Sequence, residues 1–131
     1  MHNTELIYRE DCPYIELQPL VEGFFMSKAV IRLIGNPNTI RFQWNADKVV
    51  LIVEPTDAND ANGLLVSELT DTQHSVLFVG SFILFNEIWN RKWSEDNCYR
   101  VVAKYNVPSN LAIFDIGKAI AYNSYIDYGF D

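Results

Sequence analysis

The sequence predicts an α+β fold in which two tandem βαββ-like repeats form one pseudo-symmetric domain. Three observations point there. First, GFFMSKAVIRLIGNPNTIRFQWNADKVVLIVEP from Gly23 and VGSFILFNEIWNRKWSEDNCYRVVAKYNVPSNLAIFDI from Val79 run through the same series: apolar stretch, serine, helical segment, polar break, then two strand-like segments joined by a polar turn. Second, the apolar spacing in each stretch changes from a helical period to a period of two after the break. Third, an acidic, turn-forming segment, residues 56–74, separates the two. The repeats span about residues 23–55 and 75–115 of a single domain, residues 1–131.

Each element has its own local reason. Ser27 is placed to cap a helix by accepting a bond from a first-turn amide, and Ala29, Val30, Leu33 and Ile34 follow at helical spacing. Gly35 can close that helix in the left-handed conformation before Asn36-Pro37 forbids continuation. Ile40, Phe42 and Trp44 alternate with Arg41 and Gln43 as a half-buried strand requires. Asn45 to Lys48 reads as a hairpin turn, and Val49 to Val53 as a central strand that Glu54-Pro55 ends, because proline cannot donate to a ladder. Thr56 to Gly63 is an exposed linker by composition, and Leu64 to Leu69 adds a further strand.

The second unit repeats the plan. Ser75 to Val79 is a short apolar strand, Ser81 takes the capping role, and Phe82, Phe85, Ile88 and Trp89 mark an amphipathic helix that carries Trp93 as well. Ser94 to Asn97 breaks it, and Tyr99, Val101, Ala103 and Tyr105 alternate as one strand. Residues 107–110 turn, and Leu111 to Phe114 returns. Asp115 caps a final helix through Lys118 and Ala121, and the aromatic tail, with Tyr122, Tyr125, Tyr128 and Phe130, packs on the core.

The composition bounds the function. At 131 residues, 49% hydrophobic and 21% charged, the chain is apolar enough to fold around a core. No apolar run is long enough for a membrane span, and the N-terminus lacks the features of a signal peptide, so the expected location is cytoplasmic. Cys12 and Cys98, outside any C-x-x-C pair, suit reduced thiols. A net charge of −7 disfavours anionic partners at long range. The distribution is uneven, however: Lys28, Arg32, Arg41 and Lys48 face only Asp47 between Ser27 and Val53. The acid gathers in the linker (Glu54, Asp57, Asp60, Glu68, Asp71) and in the N-terminal segment (Glu5, Glu10, Asp11, Glu16, Glu22), where solvation explains it.

The unit of short strand, small helix, Gly-Asn-Pro break and hairpin, residues Ser27 to Pro55 and more loosely Ser81 to Asp115, resembles the AbrB-like bacterial transition-state regulators. In the MraZ type two βαββ units lie in tandem and interlock their hairpins. The break here is Gly35-Asn36-Pro37, where that family commonly has Gly-Asp. SKAVIRLIGNPNTIRF and CYRVVAKYN with LAIFDIGKAI also resemble small uncharacterised proteins of Gram-positive gut bacteria and their mobile elements, a likeness that brings no activity. The AbrB-like resemblance implies swapped hairpins and DNA contact by Lys28, Arg32, Arg41 and Lys48 in the first unit and Arg91, Lys92, Arg100 and Lys104 in the second. Arg41, Arg100 and Lys104 equally fit a plainer role, on the polar faces of half-exposed strands.

Chemistry of the chain's own is not expected. His2 and His74 are poorly placed as bases, and the neighbours His74 and Ser75 point to opposite faces of a strand. Two distant cysteines and two distant histidines do not make a zinc site. DANDANG misses the calcium-loop pattern at Ala58 and Leu69. No glycine loop cradles a phosphate, so no cofactor is expected. The pairs Glu95-Asp96 and Asp57 with Asp60 fall in segments that read as turns, which accounts for them. Trp89, Trp93, Phe82 and Phe85 form a stripe that serves core packing or, if wider than the sheet covers, self-association. The sequence therefore reads as a small non-enzymatic binding or regulatory protein. Its partner is either DNA, as a transcriptional regulator, or another protein, as an acidic interaction domain, with a homo-oligomer as a further option.

Overall fold

A computed structural model describes residues 12–21, 23–72, 76–106 and 110–122. Its elements follow from the patterns above, with changes wherever a strand is buried on both faces. One sheet, antiparallel throughout, runs in the order β11-β8-β1-β2-β7-β6: β11 (Ile120–Tyr122), β8 (Cys98–Val102), β1 (Tyr14–Gln18), β2 (Gly23–Ser27), β7 (Val76–Val79) and β6 (Thr70–Asp71). The other runs β5-β3-β4-β10-β9: β5 (Leu64–Leu65), β3 (Thr39–Asn45), β4 (Val50–Thr56), β10 (Leu111–Asp115) and β9 (Lys104–Asn106). Two short helices, α1 (Lys28–Leu33) and α2 (Phe82–Ile88), complete a mixed fold of two antiparallel sheets.

Alternation decides which side chains fill the space between the sheets. Ile15, Leu17, Phe24, Met26, Leu77, Val79 and Val101 of the first sheet and Ile40, Leu51, Val53, Ala112 and Phe114 of the second belong to one buried cluster. Val30 and Ile31 of α1 and Phe85 and Ile88 of α2 complete it. The rings of Phe24 and Phe42 join the sheets edge to face, 5.4 Å apart. The first sheet's second face is also buried: Tyr14, Phe25 and Val76 form a smaller apolar cluster beside Glu16, Gln18 and Arg100.

Several expectations give way, each for a physical reason. Tyr14 to Gln18, expected as part of a solvated acidic segment, is a strand near the middle of the sheet, paired with β2 and β8, and Glu16 is fully buried. Ser27 precedes α1 but its hydroxyl does not cap it; the oxygen donates to the Cys12 carbonyl at 2.8 Å and accepts the Tyr14 amide at 3.0 Å. Ser81 does cap, accepting the Leu84 amide at 3.2 Å. Strand β4 runs through Pro55 to Thr56. Beyond Val53 it has only β3 beside it, so the proline lies on an open edge, where a missing donor is tolerated.

The segment 99–105 is not one strand. It breaks at Ala103, whose amide donates to the Pro13 carbonyl, and passes from the first sheet as β8 into the second as β9. The helix expected from Asp115 is a single 3-10 turn, Ile116–Lys118, followed by β11; Asp115 caps that turn by accepting the Gly117 amide. Residues 64–71 form two two-residue strands around a 3-10 turn, not one strand. Helix α2 ends at Ile88, so Trp93 lies beyond it. Gly35 does adopt the left-handed conformation, φ +92°, and Asn36 follows at +53°. The expectations for His2, for His74 with Ser75, for the turn at 107–109 and for the tail aromatics Tyr125, Tyr128 and Phe130 lie outside the described residues.

Candidate functional site

The eight cations read as nucleic-acid contacts divide by environment. Arg100 stands opposite Glu16 in the β1–β8 register and pairs with it, and only 1% of the arginine is exposed. The Gln18 amide donates to the other Glu16 oxygen, and the Tyr14 ring lies 4.3 Å from the guanidinium carbon. This arginine therefore faces the interior, and neither the DNA-contact reading nor the half-exposed-strand reading describes it. The reason is β1: once Tyr14 to Gln18 joins the sheet, β8 becomes an inner strand.

Arg41 is also committed, though nearer the surface. It donates to Glu54 at 2.7 Å and to Asp60 at 3.2 Å, and its Nε is buried without a hydrogen-bond partner among the described residues. The hydrogen bond and charge of Glu54 raise the guanidinium further above its ordinary value. Asp60 in turn accepts the Asn62 amide at 2.9 Å and the Thr56 hydroxyl at 2.8 Å. Those bonds, with the charge of Arg41 behind them, hold its carboxyl below the usual range. The DANDANG linker is thus tied down by its own aspartates: Asp57 accepts the Asn59 amide in the same manner.

The remaining six cations lie on the surface in different places. Lys28 and Arg32, one helical turn apart on α1, line a common groove, with Lys28 bound to Asp71 at 2.7 Å. Lys48 sits in the β3–β4 turn, which Asn45 closes by accepting the Lys48 amide. Lys104 is exposed on β9, opposite Ile113. Arg91 and Lys92 follow α2 in an exposed turn.

No family model matches the chain, nor does any curated protein or solved structure.

In the α2 region two large apolar side chains face solvent side by side, more exposed than the neighbouring pair Leu64 and Leu65 on β5. Phe85 and Ile88 turn inward, whereas Phe82 is 54% and Ile83 77% exposed. Behind them the aromatic stripe is consolidated by stacking: Phe85 on Trp89 at 5.5 Å, Trp93 on Tyr99 at 4.1 Å, with Trp89 edge-on to both Trp93 and Tyr99. The Tyr99 hydroxyl accepts the Ser94 amide at 2.9 Å, which fixes the turn carrying Trp93. Phe82, Ile83, Trp89 and Arg91 border a shallow groove of about 500 Å³. Sequence reasoning placed Phe82 in the stripe but passed over Ile83. The signal was present, since an isoleucine two residues before Phe85 falls off the face that Phe85 and Ile88 define.

Among the described residues no group of three or more His, Cys, Asp or Glu side chains is placed to hold a metal, and no helix is long and apolar enough to cross a membrane. Cys98 is buried on β8 and Cys12 is partly buried beside the smaller apolar cluster.

Proposed function

We propose that this chain is a non-catalytic, cytosolic protein-interaction module that engages its partner through the α2 face. The observation that carries the reading is the pair Phe82 and Ile83, exposed on a helix whose Phe85 and Ile88 are buried, with Phe85 stacked on Trp89. Rigid apolar side chains at the surface gain more on binding than flexible ones, because little freedom remains to be lost. The charges favour the same reading. Of the eight candidate DNA contacts, Arg100 is buried on Glu16, Arg41 is held by two acids and Lys28 by one.

A second reading, the DNA-binding regulator, has one observation in its favour. Strands β2 and β7 pair antiparallel, as do β4 and β10. This supports a two-fold relation between two halves that share a strand, a helix and a hairpin, with β8 intervening before the β9–β10 hairpin in the second, and with Lys28 and Arg32 on one helix and Arg91 and Lys92 just after the other. Labelled mixed bacterial DNA fragments, followed by anisotropy at low and physiological salt, separate the two. The interaction-module reading expects no binding at physiological salt and no preferred fragment. Retention of one fragment, with an affinity that falls steeply as salt rises, would overturn it in favour of DNA.

A further inference from the structure

The exposed side of α2 carries both halves of a charge pair. Phe82, Ile83, Asn86 and Glu87 fall at helical spacing on that side and are all exposed. With Trp89 and Arg91 they line the groove of about 500 Å³. Its charges are therefore one of each sign. Glu87 and Arg91, four residues apart, would pair with each other in a continuous helix. Between them, however, Trp89 leaves the helical conformation at φ −59° and ψ 122°, and neither side chain has an ion-pair partner among the described residues.

Resting on the reading of α2 as the contact face, we propose that the partner is a second copy of this chain, seated groove to groove about a two-fold axis. An axis passing midway between Glu87 and Arg91 lays each against its opposite on the second copy, so the pairing forms twice. A patch of one sign could not do this, since the same operation would set like charges together. Phe82 and Ile83, 54% and 77% exposed, lie in the same groove and lose their contact with water to the second copy. Asn86 both donates and accepts, so it too suits a surface that meets itself. Charge elsewhere opposes association, because two chains of net charge −7 repel at long range. The patch is also small beside the about 20–30 residues a side of a standard interface. The dimer is therefore weak, with a dissociation constant of about 10 µM to 1 mM.

Sedimentation equilibrium of the full chain from about 10 µM to 1 mM, with charge-reversal variants, tests this. The parent should show a reversible monomer–dimer equilibrium. Glu87→Arg sets arginine against arginine and Arg91→Glu sets glutamate against glutamate, so each alone should weaken the dimer about tenfold or more. An equimolar mixture of the two variants restores both opposite-charge contacts, and its heterodimer should return to within about threefold of the parent. That recovery requires both variants to be folded, so misfolding cannot imitate it. A parent that stays monomeric throughout, single variants that dimerise as the parent does, or a mixture no better than its components would overturn the second copy as partner. The α2 reading itself would survive those results if position 83 crosslinked to a different protein in a lysate. A dimer that persists in Phe82→Ser with Ile83→Asp would place the contact on another face and overturn both.

Discussion

Removing the Arg100 side chain's charge should expose the cost of the buried pair. Glu16 and Arg100 are 0% and 1% exposed, and they stand opposite each other on inner strands. In Arg100→Met the carboxylate keeps only Gln18 among the described partners. Breaking a buried pair from one side costs about 3–5 kcal/mol, whereas replacing both members by uncharged residues of similar size is close to neutral. With a urea m-value of about 1.5 kcal/mol/M, the single variant should lose about 2–3 M in unfolding midpoint. That is a large part of the about 5–15 kcal/mol that holds a domain together. The double variant Glu16→Gln with Arg100→Met removes both charges of the pair and keeps an acceptor for Gln18. It should recover most of the loss. Equilibrium urea unfolding, followed by tryptophan fluorescence, reads both. A midpoint for Arg100→Met within about 0.5 M of the parent, or a double variant no more stable than the single, would show that the pair is solvated and the reasoning wrong.

Further predictions concern other parts of the fold. Val49 is held at φ +55°, a conformation costly for a β-branched residue, so Val49→Asn should raise stability by up to about 1 kcal/mol in the same unfolding assay. Gly23→Ala should destabilise by about 1–3 kcal/mol, because the added carbon would meet the Val79 carbonyl at 2.7 Å and the Phe78 ring at 2.9 Å. The carboxyl of Asp60 is held below its ordinary range, so its contribution is full above the ordinary carboxylate pKa and is lost as pH falls through the lower folded value. Asp60→Asn should therefore flatten the acid limb of a stability–pH profile and leave the neutral-to-alkaline limb parallel to the parent's.

How far the sequence revealed this fold depended on whether a segment was buried on one face or two. The hairpin β3–β4 was legible because Ile40, Phe42 and Trp44 alternate with polar neighbours, and Gly35 announced the end of α1. Strand β1 was not, although Ile15 and Leu17 alternate with Glu16 and Gln18. A glutamate in an acid-rich stretch reads as solvated, and only the arrival of Arg100, 84 residues away, makes its burial tolerable. The break at Ala103 was equally hidden, since local alternation continues through it while the strand changes sheets. At the candidate site, the aromatic stripe was visible as a stripe; which side chains it left outside depended on where α2 ends and how the turn at Trp93 folds back. The groove beside α1 had no local signature at all, because its walls come from segments some 35 residues apart in the chain.

The most direct test of the interaction-module account is photo-crosslinking in a bacterial lysate with a photoreactive phenylalanine analogue placed at position 83 and, in a separate variant, at position 48 in the β3–β4 turn. The account predicts discrete protein adducts from position 83, competed away by the unlabelled chain but not by its Phe82→Ser, Ile83→Asp variant, and none of these from position 48. Adducts of equal kind and yield from both positions, or none from position 83, would contradict it.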